Sequence, residues 1–202
     1  WTALKTMPAL YTAFRLLLGY AALCVVIGLL YRKVLFPSPT DPTLPEGLRH
    51  VRFDASDGVH VHSAYLPPAA GGALIIHFHG NAQNISAHWR FAQWLPEHGY
   101  NLFAFDYRGY GTSQGSPHVK GVFEDSHAAI NYLRQRPDVN PDKLVIFGQS
   151  LGGTNAIAAV GAGNKKGIRA VIIEATFSSY SAIASDKVSG AGYLMNDDYS
   201  AE

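Results

Sequence analysis

The residues best placed to do chemistry are Gly148-Gln149-Ser150-Leu151-Gly152, followed at once by Gly153. An apolar run, Leu144 to Phe147, leads into them, and a stretch of small residues from Gly152 to about Val160 leads out. The serine therefore stands on a sharp turn from strand to helix. Only glycine neighbours let strand and helix approach so closely. The hydroxyl is held above the sheet at a helix N-terminus, whose dipole favours a developing negative charge. A nucleophilic serine needs this placement. A serine capping an ordinary helix would account for Ser150 alone, but not for glycines on both sides and a further one at Gly153.

Acyl transfer also needs donors preorganised around the oxyanion of a tetrahedral intermediate, each worth roughly 3 kcal/mol. The backbone N–H of Leu151, directly after the serine, is one candidate. The second comes from His79-Gly80-Asn81-Ala82, at the end of the apolar run Ala73 to Phe78. Asn81 is the expected main-chain donor there. His79 reads as a structural histidine of that turn.

Two other patterns resemble sites and are set aside. His60-x-His62 and His77-x-His79 put paired imidazoles on one face of a strand, but neither continues into a metallohydrolase pattern. The single cysteine offers no cluster, so no metal is expected. Gly109-x-Gly111-x-x-x-Gly115 misses the dinucleotide spacing by one residue, and no cofactor is expected.

The elements that must position these residues follow from periodicity. Val51–Phe53 and Val59–Tyr65 alternate about a Ser56-Asp57-Gly58 turn and form an antiparallel hairpin. Ala73–Phe78, Asn101–Phe105, Leu144–Phe147 and Ile168–Ile173 are further strands, the apolar ones typical of strands buried on both faces. Between them, Asn84 caps a helix with apolar positions Ile85, Trp89, Ala92 and Leu95 that stops near Gly99. Val122, Ala129, Ile130 and Leu133 mark another. Strand and helix then alternate, which makes a doubly wound, mostly parallel α/β sheet.

The chain has 202 residues, 48% hydrophobic and 15% charged, with a net charge of +1. That suffices for a core and leaves no basic stripe for nucleic acid. From Leu16 to Tyr31 every residue is apolar, Gly or Tyr. Extended back to Ala9 the run would span about 34 Å as a helix, enough to cross a hydrocarbon core of roughly 30 Å. Arg15, Arg32 and Lys33 stand near its ends, and no signal-peptidase site follows it. The expected organisation is a transmembrane anchor over residues 1–35, a proline-rich linker over 36–48 and a globular domain over 49–202.

HGNAQN, FDYRGYGTSQG and GQSLGG, at these separations, resemble the α/β-hydrolase superfamily, and within it the membrane-anchored bud-emergence-type branch. The likeness runs from about Arg49 to the end of the chain. It implies an α/β-hydrolase fold, Ser150 as nucleophile, Asn81 and Leu151 as oxyanion-hole residues, and a structural role for Asp106. It also implies a single-pass protein of the bacterial inner membrane acting on a small-molecule or lipid ester, thioester or amide. One departure stands out. The family's triad runs serine, acid, histidine, yet none of the nine histidines follows Ser150. The resemblance therefore implies a C-terminally truncated chain, lacking the last two strands and with them the acid and the histidine. Such a chain would be inactive as it stands. A rearranged triad, with His79 as base or Glu174 or Asp186 as acid, is the weaker option. A catalytically silent, membrane-bound binding protein of the same fold is the alternative function.

Overall fold

The structure is a computed structural model that describes residues 10–23, 25–26, 44, 46–66, 72–187, 189–195 and 197–201. The chain divides into two compact units, Trp1–Pro37 and Ser38–Glu202.

In the first unit, residues 10–23 form helix α1, with residues 25 and 26 also helical. Among the described residues no helix is long and apolar enough to cross a membrane. The transmembrane helix expected over residues 1–35 is thus not found there. Of the apolar run Leu16–Tyr31, Cys24 and residues 27–31 lie outside the described residues, as does most of the linker.

The second unit is built on a six-stranded sheet of β1 (Arg49–Asp54), β2 (His60–Leu66), β3 (Leu74–Phe78), β4 (Asn101–Phe105), β5 (Leu144–Gln149) and β6 (Ile168–Glu174). Its order is β1-β2-β4-β3-β5-β6. The hairpin β1–β2 and the β2–β4 pairing are antiparallel, while β3–β4, β3–β5 and β5–β6 are parallel. Gly58 closes the hairpin at φ 82°, a left-handed conformation that costs glycine nothing. Every residue of β3 and β4 is buried, as central parallel strands covered on both faces require.

On one face Ile75, Leu102 and Ala104 pack against Ile85, Trp89, Ala92 and Leu95. On the other lie α3 (Val119–Arg134) and α4 (Leu151–Gly161). Tyr132 of α3 stacks on Phe53 with ring centroids 5.2 Å apart and lies 6.2 Å from Phe103.

The helix expected from Asn84 to Gly99 breaks into α2 (Ile85–His88) and two 3₁₀ turns, Trp89–Phe91 and Leu95–His98. Asn84 still caps it, its side chain accepting from the Ser86 N–H, and Gly99 still ends it at φ 82°. Pro96 keeps an α-helix from continuing through Leu95–His98. Lacking an N–H, and with a ring that collides with the preceding turn, it cannot sit inside an α-helix but fits the start of a short 3₁₀ turn. The apolar positions remain buried, so the 3.6-residue spacing served packing without a continuous helix.

Beyond β6 the chain adds α5 (Tyr180–Lys187) and a 3₁₀ turn, Ala191–Leu194. The Tyr180 hydroxyl donates to Asn155 Oδ1 at 3.0 Å, which ties α5 to α4. Strand β6 is an edge of the described sheet, with Val171 and Ile172 37% and 51% exposed.

Candidate active site

Strands β3, β5 and β6 run parallel, with Phe78 beside Gly148 and Gln149 beside Glu174. The loops leaving their carboxyl ends therefore meet at one place, which in open parallel sheets is where ligands bind.

Ser150 leaves β5 at φ 51° and ψ −118°, a left-handed conformation no ordinary helix cap adopts, and makes no capping hydrogen bond with its side chain. The simple N-cap reading is thereby excluded. Such a residue costs of order 1–3 kcal/mol and persists only where its surroundings hold it. The holding contacts come from the main chain of β6 and α4 and from Thr176, two residues past β6. The Ser150 N–H donates to the Glu174 carbonyl at 2.9 Å, and the Ser150 carbonyl accepts from the Gly153 N–H at 2.9 Å and from the Thr176 hydroxyl at 2.7 Å. Thr154 completes the clasp by donating to the Phe177 carbonyl at 2.5 Å.

The glycines are required by contact. A Cβ at Gly152 would run into the carbonyl of Phe78, at Gly148 it would lie 2.7 Å from the Gly153 Cα, and at Gly153 2.5 Å from the Thr176 hydroxyl. Leu151 is the first residue of α4, so its N–H belongs to the helix N-terminus beside the serine.

The His79–Ala82 loop lies against this elbow. A Cβ at Gly80 would sit 3.6 Å from Ser150 Cβ, 3.5 Å from the Gln149 carbonyl and 3.3 Å from His88 Cε1. Asn81 follows, its side-chain oxygen accepting from the Tyr110 hydroxyl at 2.7 Å. The next two residues, Ala82 and Gln83, have φ of 67° and 60° without being glycine. His79 is fully buried beneath the loop and donates from Nδ1 to the Gly80 carbonyl at 2.7 Å. Its Nε2 faces Asp106 Oδ1 at 3.4 Å.

Asp106 also accepts from the Ile85 N–H at 2.8 Å and faces His62 at 3.8 Å. Burial works to raise the Asp106 carboxyl, but His62, His79 and the Ile85 N–H together hold it below the usual carboxylate range. The turn after β4 is pinned from the other side. Buried Arg108 reaches Asp125 at 2.8 Å and Asp57 of the hairpin turn at 2.6 Å. Asp106 and Arg108 thus hold loops together and touch no reacting group.

None of the nine histidines serves Ser150. The rings of His50 and His62 meet each other, His60 meets Asp54, His79 the Gly80 carbonyl, and His88 the Ala82 carbonyl. His98 meets the Trp94 carbonyl, His118 the Gly121 N–H and His127 Asn164. His77 is buried with no hydrogen-bond partner on either nitrogen. Glu174 lies nearer, its carboxylate accepting from Gln149 Nε2 at 3.3 Å, and Asp186 lies exposed on α5. An open groove of about 500 Å³ lined by Asp54, Phe123, Glu124, His127, Asn131 and Tyr132 contains none of the site residues.

Sequence reading did not single out Thr154, Thr176, Tyr110 or His88. The first two act across sequence gaps that local spacing does not reveal. His88 is the last residue of the helix that Asn84 caps, and its ring turns back to the Ala82 carbonyl, a contact no local spacing reveals.

Comparison with known proteins agrees with this geometry. Residues 70–192 match the family described as serine aminopeptidase, S33. The uncharacterized protein YfhR of Salmonella typhi is 46% identical over 184 residues, covering 84% of this chain and 61% of its own. The chain thus spans about six tenths of the length of that relative. Among solved structures, the α/β hydrolase GrgF from Penicillium superposes with a TM-score of 0.61 at 26% identity, over 71% of this chain and 51% of its own. The Pyrococcus furiosus esterase Pf2001 superposes with a TM-score of 0.62 at 19% identity, over 76% of this chain and 60% of its own, and shares the fold. With an elbow serine on a mixed sheet of this order and a family match over more than half its length, the chain belongs to the serine aminopeptidase S33 family and has the α/β-hydrolase fold.

Proposed function

We propose that this protein is a serine hydrolase that cleaves an ester, thioester or amide through an acyl-enzyme on Ser150. The observation that carries this reading is the left-handed Ser150, held by Thr176 and Glu174 between glycines that the packing demands. In the first step Ser150 Oγ attacks the carbonyl carbon of the substrate. The oxyanion is received by the N–H groups of Leu151 and Asn81, and the leaving group departs with the proton taken from the hydroxyl. Water then attacks the acyl-enzyme, returning the acid and the free serine.

A serine hydroxyl is un-ionised at neutral pH and needs a base. No histidine here hydrogen-bonds Ser150, and His77 is buried inside the sheet. The base and its acid partner are therefore not assigned to any of these residues. The same fact favours a second reading, a binding protein of hydrolase fold with no turnover. The N-terminal apolar run is assigned the role of membrane tether, which would bring the site to lipid or acyl-chain substrates.

The test is steady-state and burst kinetics with p-nitrophenyl esters of graded chain length, on the full-length natural protein and its Ser150→Ala variant. A burst of one p-nitrophenol per protein that disappears in the variant supports the acyl-enzyme. Ester turnover equal in both proteins would remove Ser150 from the mechanism, and turnover in neither would favour the silent reading.

A further inference from the structure

His88 is a histidine beside the elbow that the proposed mechanism leaves unused. Its Cε1 lies 3.3 Å from the position a Cβ would take on Gly80, and that position lies 3.6 Å from Ser150 Cβ. The imidazole thus packs under the oxyanion loop at the point where loop and elbow touch. Its Nε2 lies 3.0 Å from the Ala82 carbonyl. A carbonyl only accepts, so Nε2 carries the proton and donates. The other nitrogen, Nδ1, is buried and makes no close hydrogen bond, although the Gln149 side chain lies near enough to act on the ring. The ring stacks on His79 with centroids 5.2 Å apart and lies 5.8 Å from Phe91.

The Ala82 carbonyl is where such a bond matters most. Ala82 and Gln83 both carry positive φ without being glycine, each at a cost of order 1–3 kcal/mol. Left alone, the segment would relax toward ordinary backbone angles. Relaxing Ala82 would swing the peptide units before it, including the Asn81 N–H. Tyr110 restrains the Asn81 side chain, and His88 restrains the backbone one residue on. Burial, then the neighbouring His79, pushes the His88 pKa below its ordinary value, which keeps the ring in its neutral, single-donor form at neutral pH.

We propose that His88 is a positioning residue: its Nε2–H bond to the Ala82 carbonyl locks the strained loop so that the Asn81 N–H is aimed at the oxyanion. This rests on the reading of Ser150 as nucleophile. Displacement of a preorganised donor by about 1 Å costs up to 100-fold in rate, with little effect on ground-state binding.

The experiment compares His88→Leu, His88→Asn and His88→Gln in the full-length protein. It measures phosphonylation of the serine by a fluorophosphonate, ester kcat and KM, and the thermal midpoint. The Gln amide nitrogen reaches the place of Nε2, whereas the Asn amide reaches only that of Nδ1. His88→Leu and His88→Asn are expected to slow phosphonylation and kcat about 10- to 100-fold with KM within about 2-fold. His88→Gln is expected to stay within about 5-fold of the native rate at a similar thermal midpoint. The Asn variant keeps the test open if the Leu variant fails to fold. Native rates in His88→Asn, or a His88→Gln variant as slow as His88→Asn, would overturn the proposal. A Ser150→Ala control separates the two ideas. If that control is still phosphonylated at the native rate, the nucleophile reading fails and this proposal with it. If it is inert while His88→Asn reacts normally, only the role of His88 falls.

Discussion

Lowering the pH should destabilise the fold through one histidine more than any other. His77 sits in the middle of β3, 1% exposed, stacked on Phe147 at 5.2 Å between ring centroids, with no hydrogen bond to either nitrogen. Burial, then the nearby His79 and His88, lowers its pKa from 6.5 to about 3. In the unfolded chain it titrates near 6.5. Between those values the unfolded state binds a proton that the folded state refuses, so stability is full above pH 6.5 and is lost as pH falls from 6.5 toward 3. Each pH unit in that window costs about 1.4 kcal/mol, which makes the loss about 2 kcal/mol at pH 5. His77→Leu removes the group and an unsatisfied buried polar ring together. Urea unfolding followed by tryptophan fluorescence at pH 8 and pH 5 measures the difference. The native protein should lose about 2 kcal/mol more than His77→Leu over that interval, since the remaining histidines and carboxylates titrate in both. Equal losses would refute the reasoning, and would mean that His77 finds a proton acceptor or water in the folded state.

Three other outcomes follow from the packing and the sequence. Gly152→Ala should cost roughly 1–3 kcal/mol and abolish phosphonylation of Ser150, because the new methyl meets the carbonyls of Phe78 and His79; a variant of native stability and reactivity would contradict the elbow geometry. Arg108→Met should cost about 3–5 kcal/mol in urea unfolding, since it strands the buried Asp125 carboxylate. The double variant with Asp125→Leu should recover much of that loss, and its failure to do so would place the cost elsewhere. Deleting the residues before Phe36 should shift the full-length protein from the membrane pellet to the supernatant in alkaline carbonate, as the loss of about 20 apolar residues predicts; undeleted protein already in the supernatant would end the tether idea.

Much of the fold was legible because its signals are local. Ser56-Asp57-Gly58 fixed the hairpin register that pairs Phe53 with Val61. The apolar runs at Leu74–Phe78 and Asn101–Phe105 became strands buried throughout. Asn84 and Gly99 bound the segment they were expected to bound, while the one expected helix is a short α-helix and two 3₁₀ turns, the last opened by Pro96. Helix α5 was not legible, since its residues show almost no amphipathic period and it is held largely by polar contacts such as Ser181 N–H to Asp197 at 2.9 Å. At the site, the elbow and the His79–Ala82 loop were legible because glycine spacing records close approach. The clasp was not. Thr176 meets the Ser150 carbonyl across 26 residues, a contact set by the register of β6 on β5 rather than by any motif. His88 was hidden for a related reason, because its role depends on a loop whose positive φ angles fall on Ala82 and Gln83 rather than on glycines.

The most direct test of the central claim is peptide mapping by mass spectrometry of the full-length natural protein after reaction with a fluorophosphonate. The account predicts one adduct per chain, on the peptide carrying Gly148–Gly153, localised by fragmentation to Ser150 and absent from Ser150→Ala. An adduct on another serine, or a fully folded protein that gives none while a known serine hydrolase in the same tube is labelled to completion, would contradict it.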